Sequence, residues 1–199
     1  MRRAHLWSDG VLIDLGDLPE GKGFNYATAV NRAGQVVGQS FVAGDNGNLR
    51  SFLWDAGVLT DLGDLPGGYD EGAATDINDA GWIVGHSHSG EDEFTRAFLW
   101  RPDTGMVDLN SLIDPADSLR GAFTLWLAEG INNAGQIVGQ GSLNGIPRAF
   151  LATPVPIPGG IRMLVSGIAA LCTLPRRRKT GNVLDLACGR PAFRRAADH

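Results

Sequence analysis

Two histidines at alternate positions, His86 and His88, run into Glu91-Asp92-Glu93. Residues i and i+2 of a strand share a face, so these imidazoles and carboxylates could hold a divalent transition metal. The same residues also make an ordinary solvated loop. Asp76-x-Asn78-x-x-Gly81 offers oxygen donors at a spacing reminiscent of a calcium loop. Trp7, Trp54 and Trp100 form an aromatic row that could stack sugars or pack a core. No Ser/His/Asp set, paired catalytic carboxylates or phosphate-binding loop stands out. We assign no catalytic residue, no metal ligand and no cofactor.

The elements that position these residues repeat. The first copy reads Ala4-His5-Leu6-Trp7, then Asp14-Leu15-Gly16-Asp17-Leu18-Pro19, then Asn31-Arg32-Ala33-Gly34-Gln35-Val36-Val37-Gly38. The second reads Ser51-Phe52-Leu53-Trp54, Asp61-Leu62-Gly63-Asp64-Leu65-Pro66 and Asn78-Asp79-Ala80-Gly81-Trp82-Ile83-Val84-Gly85. The third reads Ala97-Phe98-Leu99-Trp100, Asp108-Leu109-Asn110 and Asn132-Asn133-Ala134-Gly135-Gln136-Ile137-Val138-Gly139. Successive tryptophans are 47 and 46 residues apart, a period that marks a propeller, solenoid or array. Asp76 becomes Ala29 in the first copy and Gly130 in the third. That loss favours a turn over a calcium site.

Each copy reads as two hairpins. Ser51–Trp54 and Val58–Leu62 flank a turn at Asp55-Ala56-Gly57, and Ala74–Ile77 and Trp82–Ser87 flank another at 78–81. In Asn-x-x-Gly, Asn caps its own backbone and Gly fits the fourth position of a type I turn or a bulge. Asn31, Asn78 and Asn132 take the first role, and Gly34, Gly81 and Gly135 the second. Asp14, Asp61 and Asp108 are expected to accept from backbone amides before the Pro break. Four strands per copy match one propeller blade. In the third copy Asn132 follows Asp108 by 24 positions where the others have 17, as an end copy would. Arg148-Ala149-Phe150-Leu151 then restarts the pattern.

Residues 1–153 hold 9 Lys/Arg against 20 Asp/Glu, and residues 154–199 hold 8 against 2. An acidic repeat body excludes nucleic acid as a partner, because phosphates need a basic face. Both cysteines, Cys172 and Cys188, lie outside the repeats. Met1-Arg2-Arg3 runs into the first copy with no apolar segment of a signal peptide.

Arg-Ala-Phe-Leu-Trp, Asp-Leu-Gly-x-Leu-Pro-Gly-Gly and Ile-Asn-x-x-Gly-x-x-Val-Gly together resemble the bacterial extracellular repeat family called HAF, over residues 4–152. The resemblance implies an exported protein with a propeller-like fold and implies no activity. Further on, Val155-Pro156-Ile157-Pro158 precedes an apolar run from Ile161 to Leu174 and the cluster Arg176-Arg177-Arg178-Lys179. This order is similar to the PEP-CTERM sorting tail in its Val-Pro-x-Pro variants, with Ile157 where that family has Glu. It implies an exosortase-type enzyme as partner. As a helix, residues 157–174 would span about 27 Å, close to the hydrocarbon core, with the basic cluster cytoplasmic.

The sequence therefore predicts an all-β, partial β-propeller-like array of about three four-stranded repeats, plus a C-terminal hydrophobic helix. The repeat domain is 1–153, with copies at 4–47, 48–93 and 94–152. A sorting and membrane segment follows at 154–179, and a disordered tail at 180–199. The expected protein is a non-enzymatic, exported surface or matrix module, held to a membrane through its helix and binding extracellular polysaccharide or another protein. The alternative is a fragment of a propeller enzyme acting on extracellular polysaccharide. Too few copies to close a ring, and no signal peptide, suggest a piece of a longer secreted chain.

Overall fold

The computed structural model describes residues 2–42, 49–68, 71–88, 95–157 and 160–167. The fold is all-β, and among the described residues there is no α-helix. A hairpin comes first, β1 (His5–Ser8) with β2 (Val11–Asp14). Three four-stranded antiparallel sheets follow in chain order. Sheet 1 holds β3 (Gly21–Val30), β4 (Val36–Val42), β5 (Leu49–Asp55) and β6 (Val58–Asp61). Sheet 2 holds β7 (Gly72–Ile77), β8 (Ile83–His88), β9 (Thr95–Arg101) and β10 (Gly105–Asp108). Sheet 3 holds β11 (Phe123–Ile131), β12 (Ile137–Leu143), β13 (Ile146–Ile157) and β14 (Gly160–Gly167).

The expected strands are present, but the four strands of one copy do not form one sheet. Sheets 1 and 2 each take their first two strands from one copy and their last two from the next: β3 and β4 belong to the first copy, β5 and β6 to the second. The reason is on β4. Its open edge pairs along its length with the Arg50–Trp54 block, Val36 opposite Trp54 and Gly38 opposite Phe52.

Neighbouring residues of a strand point to opposite faces, and both faces of sheets 1 and 2 are covered. Val36, Phe52 and Trp54 meet Ala4, Leu6 and Ile13 of the hairpin. Val37 and Leu53, on the other face, meet Ile83, Phe98 and Trp100 of sheet 2. Val84 and Leu99 of sheet 2 in turn meet Ile137, Phe150 and Ala152 of sheet 3. The doublets Val36-Val37 and Ile83-Val84 are thus strands buried on both sides. Each is followed by a glycine. A Cβ at Gly38, Gly85 or Gly139 would sit far inside the carbonyl oxygen of Tyr26, Ala73 or Leu127.

Three expectations are corrected. Trp7, Trp54 and Trp100 share one register, opposite Leu12, Leu59 and Met106. However, Trp54 is 6% exposed and Trp7 is 68% exposed, because Trp7 lies on the face of the hairpin turned away from sheet 1 and, among the described residues, no strand pairs with the other edge of β1. The Asp108-Leu109-Asn110 block is not all extended: Leu109–Leu112 form a single 3-10 turn, with Asp108 as its cap.

The third correction is the C-terminal helix. Residues 160–167 are a strand, paired with β13 from Phe150↔Gly167 to Ile157↔Gly160. Met163 and Val165 are buried while Arg162 and Leu164 face out, a period of two that suits a strand. Pro154, Val155 and Pro156 are part of β13. The long insert of the third copy grips the far side of β14. Asp114 N–H donates to the Met163 carbonyl at 2.9 Å, and the Asp117 carboxylate accepts from Val165 N–H at 2.8 Å. Ile113 packs in the same core as Met163. With 160–167 in the sheet, only 168–174 remain of the apolar run, too short to span a bilayer. Among the described residues no helix is long and apolar enough to cross a membrane. Pro158, Arg176, Arg177, Arg178, Lys179 and the tail 180–199 lie outside the described residues.

The two kinds of glycine should differ in cost. Gly81 has φ +75° and a Cβ there would meet only Gln35 Oε1, at an ordinary contact distance of 3.6 Å, so Gly81→Val should destabilise by about 1–3 kcal/mol mainly through strain. Gly85→Ala should cost more, at least about 3 kcal/mol, because its methyl meets backbone that cannot yield. Thermal unfolding of the two variants checks the order.

Candidate functional site

The Asn-x-x-Gly turns do more than reverse the chain. Asn78 Oδ1 accepts from Ala80 N–H at 3.1 Å and Trp82 N–H at 3.0 Å, holding its own turn. Its Nδ2 donates to the carbonyl of Asn132 in the next sheet at 3.1 Å. Asn31 does the same one sheet earlier, accepting from Ala33 and Gln35 and donating to the Asn78 carbonyl at 3.1 Å. Asn132 repeats the turn with Ala134 and Gln136, but among the described residues its Nδ2 donates only sideways, to Gln136 Oε1 at 2.8 Å. Asn31 and Asn78 are buried and Asn132 is exposed. Gly34, Gly81 and Gly135 close these turns at φ +81°, +75° and +74°, as expected.

A second ladder runs beside the first. The β3–β4, β7–β8 and β11–β12 pairings each slip by one residue, leaving Thr28, Thr75 and Glu129 unpaired. Thr28 Oγ1 donates to the Ala74 carbonyl at 2.8 Å and Thr75 Oγ1 to the Ala128 carbonyl at 2.7 Å, both across sheets. The third bulge carries Glu129, which accepts from Gln140 Nε2 within its own sheet at 2.6 Å. Asp76 is consumed by the same junction. Its two oxygens accept from Ile77 N–H and Ile131 N–H, at 2.9 and 2.8 Å, which leaves the calcium-like spacing a structural one.

Asp14, Asp61 and Asp108 accept from the amides of Gly16, Gly63 and Asn110 at 2.9, 2.8 and 2.8 Å, as expected. Each also faces the arginine of its own copy: Arg3–Asp14 at 3.1 Å, Arg50–Asp61 at 2.9 Å and Arg96–Asp108 at 4.0 Å. The Gly16 amide and then Arg3 hold the Asp14 carboxyl below its ordinary pKa. The Arg32 amide, helped by Asn133, does the same for Asp79. This pairing was visible in the repeat, where Arg immediately precedes the apolar block each time.

His86 and His88 share a face of β8, and His88 Nε2 is 3.9 Å from Glu71 Oε2. The three line a cavity of about 40 Å³ with Gln39 and Leu49 of sheet 1. Among the described residues no group of three His, Cys, Asp or Glu side chains is placed to hold a metal. Glu91, Asp92 and Glu93 lie outside the described residues. Burial, and then the neighbouring His88, lower the pKa of His86 below 6.5.

One hollow has the size of a ligand site, and no motif pointed to it. Lys22, Phe24 and Tyr26 alternate along β3 and meet Phe41 of β4 around a cavity of about 440 Å³. The Phe24 and Phe41 rings sit edge to face, with centroids 6.4 Å apart. Phe24 and Tyr26 remain exposed. By count from the Asn turn, the equivalents in sheet 2 are Glu71, Ala73 and His88. The aromatic hollow is thus peculiar to sheet 1. The signal was two aromatics on alternating positions, Phe24 and Tyr26, outside the repeated blocks. The tryptophan row itself cannot stack a ligand, since Trp54 is buried and Trp100 packs in the core.

No family model, curated protein or solved structure matches this sequence.

Two outcomes test these assignments. Asn78→Ala removes a turn cap and an inter-sheet bond and should cost about 2–3 kcal/mol, whereas Asn132→Ala loses the cap alone and should cost about 1 kcal/mol. Denaturant unfolding of both variants measures the difference. For His86, the unfolded chain takes its proton near pH 6.5 and the folded chain at lower pH. The unfolded state therefore binds more protons in that window, and stability should fall as pH drops from about 6.5. Gln39 and Gln140 occupy the equivalent positions. His86→Gln should flatten the dependence of Tm on pH between about 7 and 5.

Proposed function

We propose that this chain is a non-enzymatic, exported surface or matrix repeat module that binds neutral polysaccharide. In this reading the stacked sheets are blades of a partial β-propeller-like array, and Phe24, Tyr26 and Phe41 form the sugar platform. The aromatic hollow is the observation that carries it. Exposed aromatic faces suit the C–H faces of sugar rings, and the Tyr26 hydroxyl and Lys22 ammonium can bond ring hydroxyls. The acidic body favours a neutral glycan over a uronate-rich one. The carboxylates of β7 and β11 are already bonded, Asp76 to two amides and Glu129 to Gln140, which favours a binding module over an enzyme fragment.

Export and a surface location are part of the proposal and rest on the resemblance of the repeats to the HAF family. Reading of the C-terminal segment by an exosortase-type enzyme would first require β14 to leave β13, because the membrane helix over 157–174 cannot form while that strand is in place.

Affinity electrophoresis tests the ligand. Neutral glucans or galactomannans in the gel should retard the protein, and alginate should not. Phe24→Ala and Tyr26→Ala should each weaken binding about tenfold with unchanged melting. Equal migration in every gel would sink the reading.

A further inference from the structure

Among the described residues, the two ends of the stack are open in complementary ways. On the face that each sheet turns toward its successor, Val37 and Val84 are 0% exposed, because the following sheet covers them. The equivalent residue of sheet 3, Val138, is 48% exposed. Leu164 of β14 is exposed on the same face, opposite Thr153, which follows Leu151 of the Val138 pair by two residues. At the other end, the hairpin exposes Trp7 and Leu12, which are partners in register on the face turned away from sheet 1.

The chain itself shows how these two surfaces fit. Trp100 and Met106 stand at the positions of Trp7 and Leu12. They pack into the cluster that holds Val37 and Leu53 of the preceding sheet. Val138 and Leu151 stand at the positions of Val37 and Leu53. The apolar contact formed between sheets 1 and 2 thus has exposed counterparts of both halves at opposite ends of the protein, Trp7 and Leu12 at one end and Val138 at the other.

We propose that a second copy of this chain covers sheet 3: the chains associate head to tail, with Trp7 and Leu12 of one copy seated on Val138, Leu151 and Leu164 of the next. The inference rests on the stacked-array reading and not on the ligand or the export. Glu129 fits it. In sheets 1 and 2 the bulge threonine reaches the first strand of the following sheet. The incoming hairpin has only the two outer strands, so it brings no first strand and leaves Glu129 in water. The contact joins different surfaces, so each added copy exposes a fresh end, and the product is a ring or an open filament.

The test uses the full chain and two surface variants, Trp7→Glu and Val138→Glu, each checked for wild-type melting. In sedimentation velocity the wild type should grow in mass between about 1 and 100 µM, the range of weak protein contacts. Each variant alone should stay monomeric. An equimolar mixture should give a one-to-one dimer and nothing larger, because one good end remains on each partner. A wild type that is monomeric throughout overturns the proposal, since the face is then covered by something other than a second copy. Assembly insensitive to both variants overturns it as well. So does a mixture that stays monomeric while the wild type assembles, which is the mark of a symmetric contact.

Discussion

An asparagine amide has an acceptor at one end and a donor at the other, and this chain spends the two ends on different tasks. The oxygen of Asn78 holds its own turn, while the nitrogen reaches the carbonyl of the next turn along the stack. Aspartate could do the first task and not the second. Because the donor crosses the junction in a buried position, leaving it unpaired is costly, and the sheets are locked at one spacing and one order. The threonine bulges and the apolar doublets add area and register to a geometry that this bond defines.

Sheets built from the strands of two copies have a further energetic meaning. A single copy cannot bury its own hydrophobic faces or complete its own hydrogen-bond ladders. Its first hairpin finishes the sheet behind it and its second begins the sheet ahead. Folding of one unit is coupled to its neighbours twice, through strand pairing within a sheet and through side-chain packing between sheets. The end units show what is lost when a neighbour is missing. The first hairpin has two strands and an exposed tryptophan, and among the described residues the last asparagine donates only to its own glutamine.

Much of this was legible in the residues. Spacing placed the strands of the second copy within two residues, and the chemistry of Asn, Asp and Gly placed the turns. Which hairpin pairs with which was not legible, because the alternation inside each strand is the same for either partner. β14 was misread for a physical reason. A run of apolar residues between Pro-rich and Arg-rich segments is long enough for a membrane helix, and the weaker alternation of Met163 and Val165 with Arg162 and Leu164 lies within it. The insert that clamps this strand, Ile113 to Asp117, is fifty residues away in sequence and has no counterpart in the other copies. The aromatic hollow escaped because motif reading followed what repeats, and Phe24, Tyr26 and Phe41 occur in one copy alone.

The half-unit offset between copy and sheet also bears on how such a chain can change length. A crossover between two equivalent turns adds or removes one period of about 47 residues. The junction then falls in the middle of sheets, and the hairpin behind it meets a matching hairpin ahead. Every ladder bond is remade with an equivalent residue, so the sequence near the splice needs no compensating change. Tandem duplication is therefore nearly silent in structural terms, except where it passes a unit such as the third, whose insert and Glu129 belong to an end.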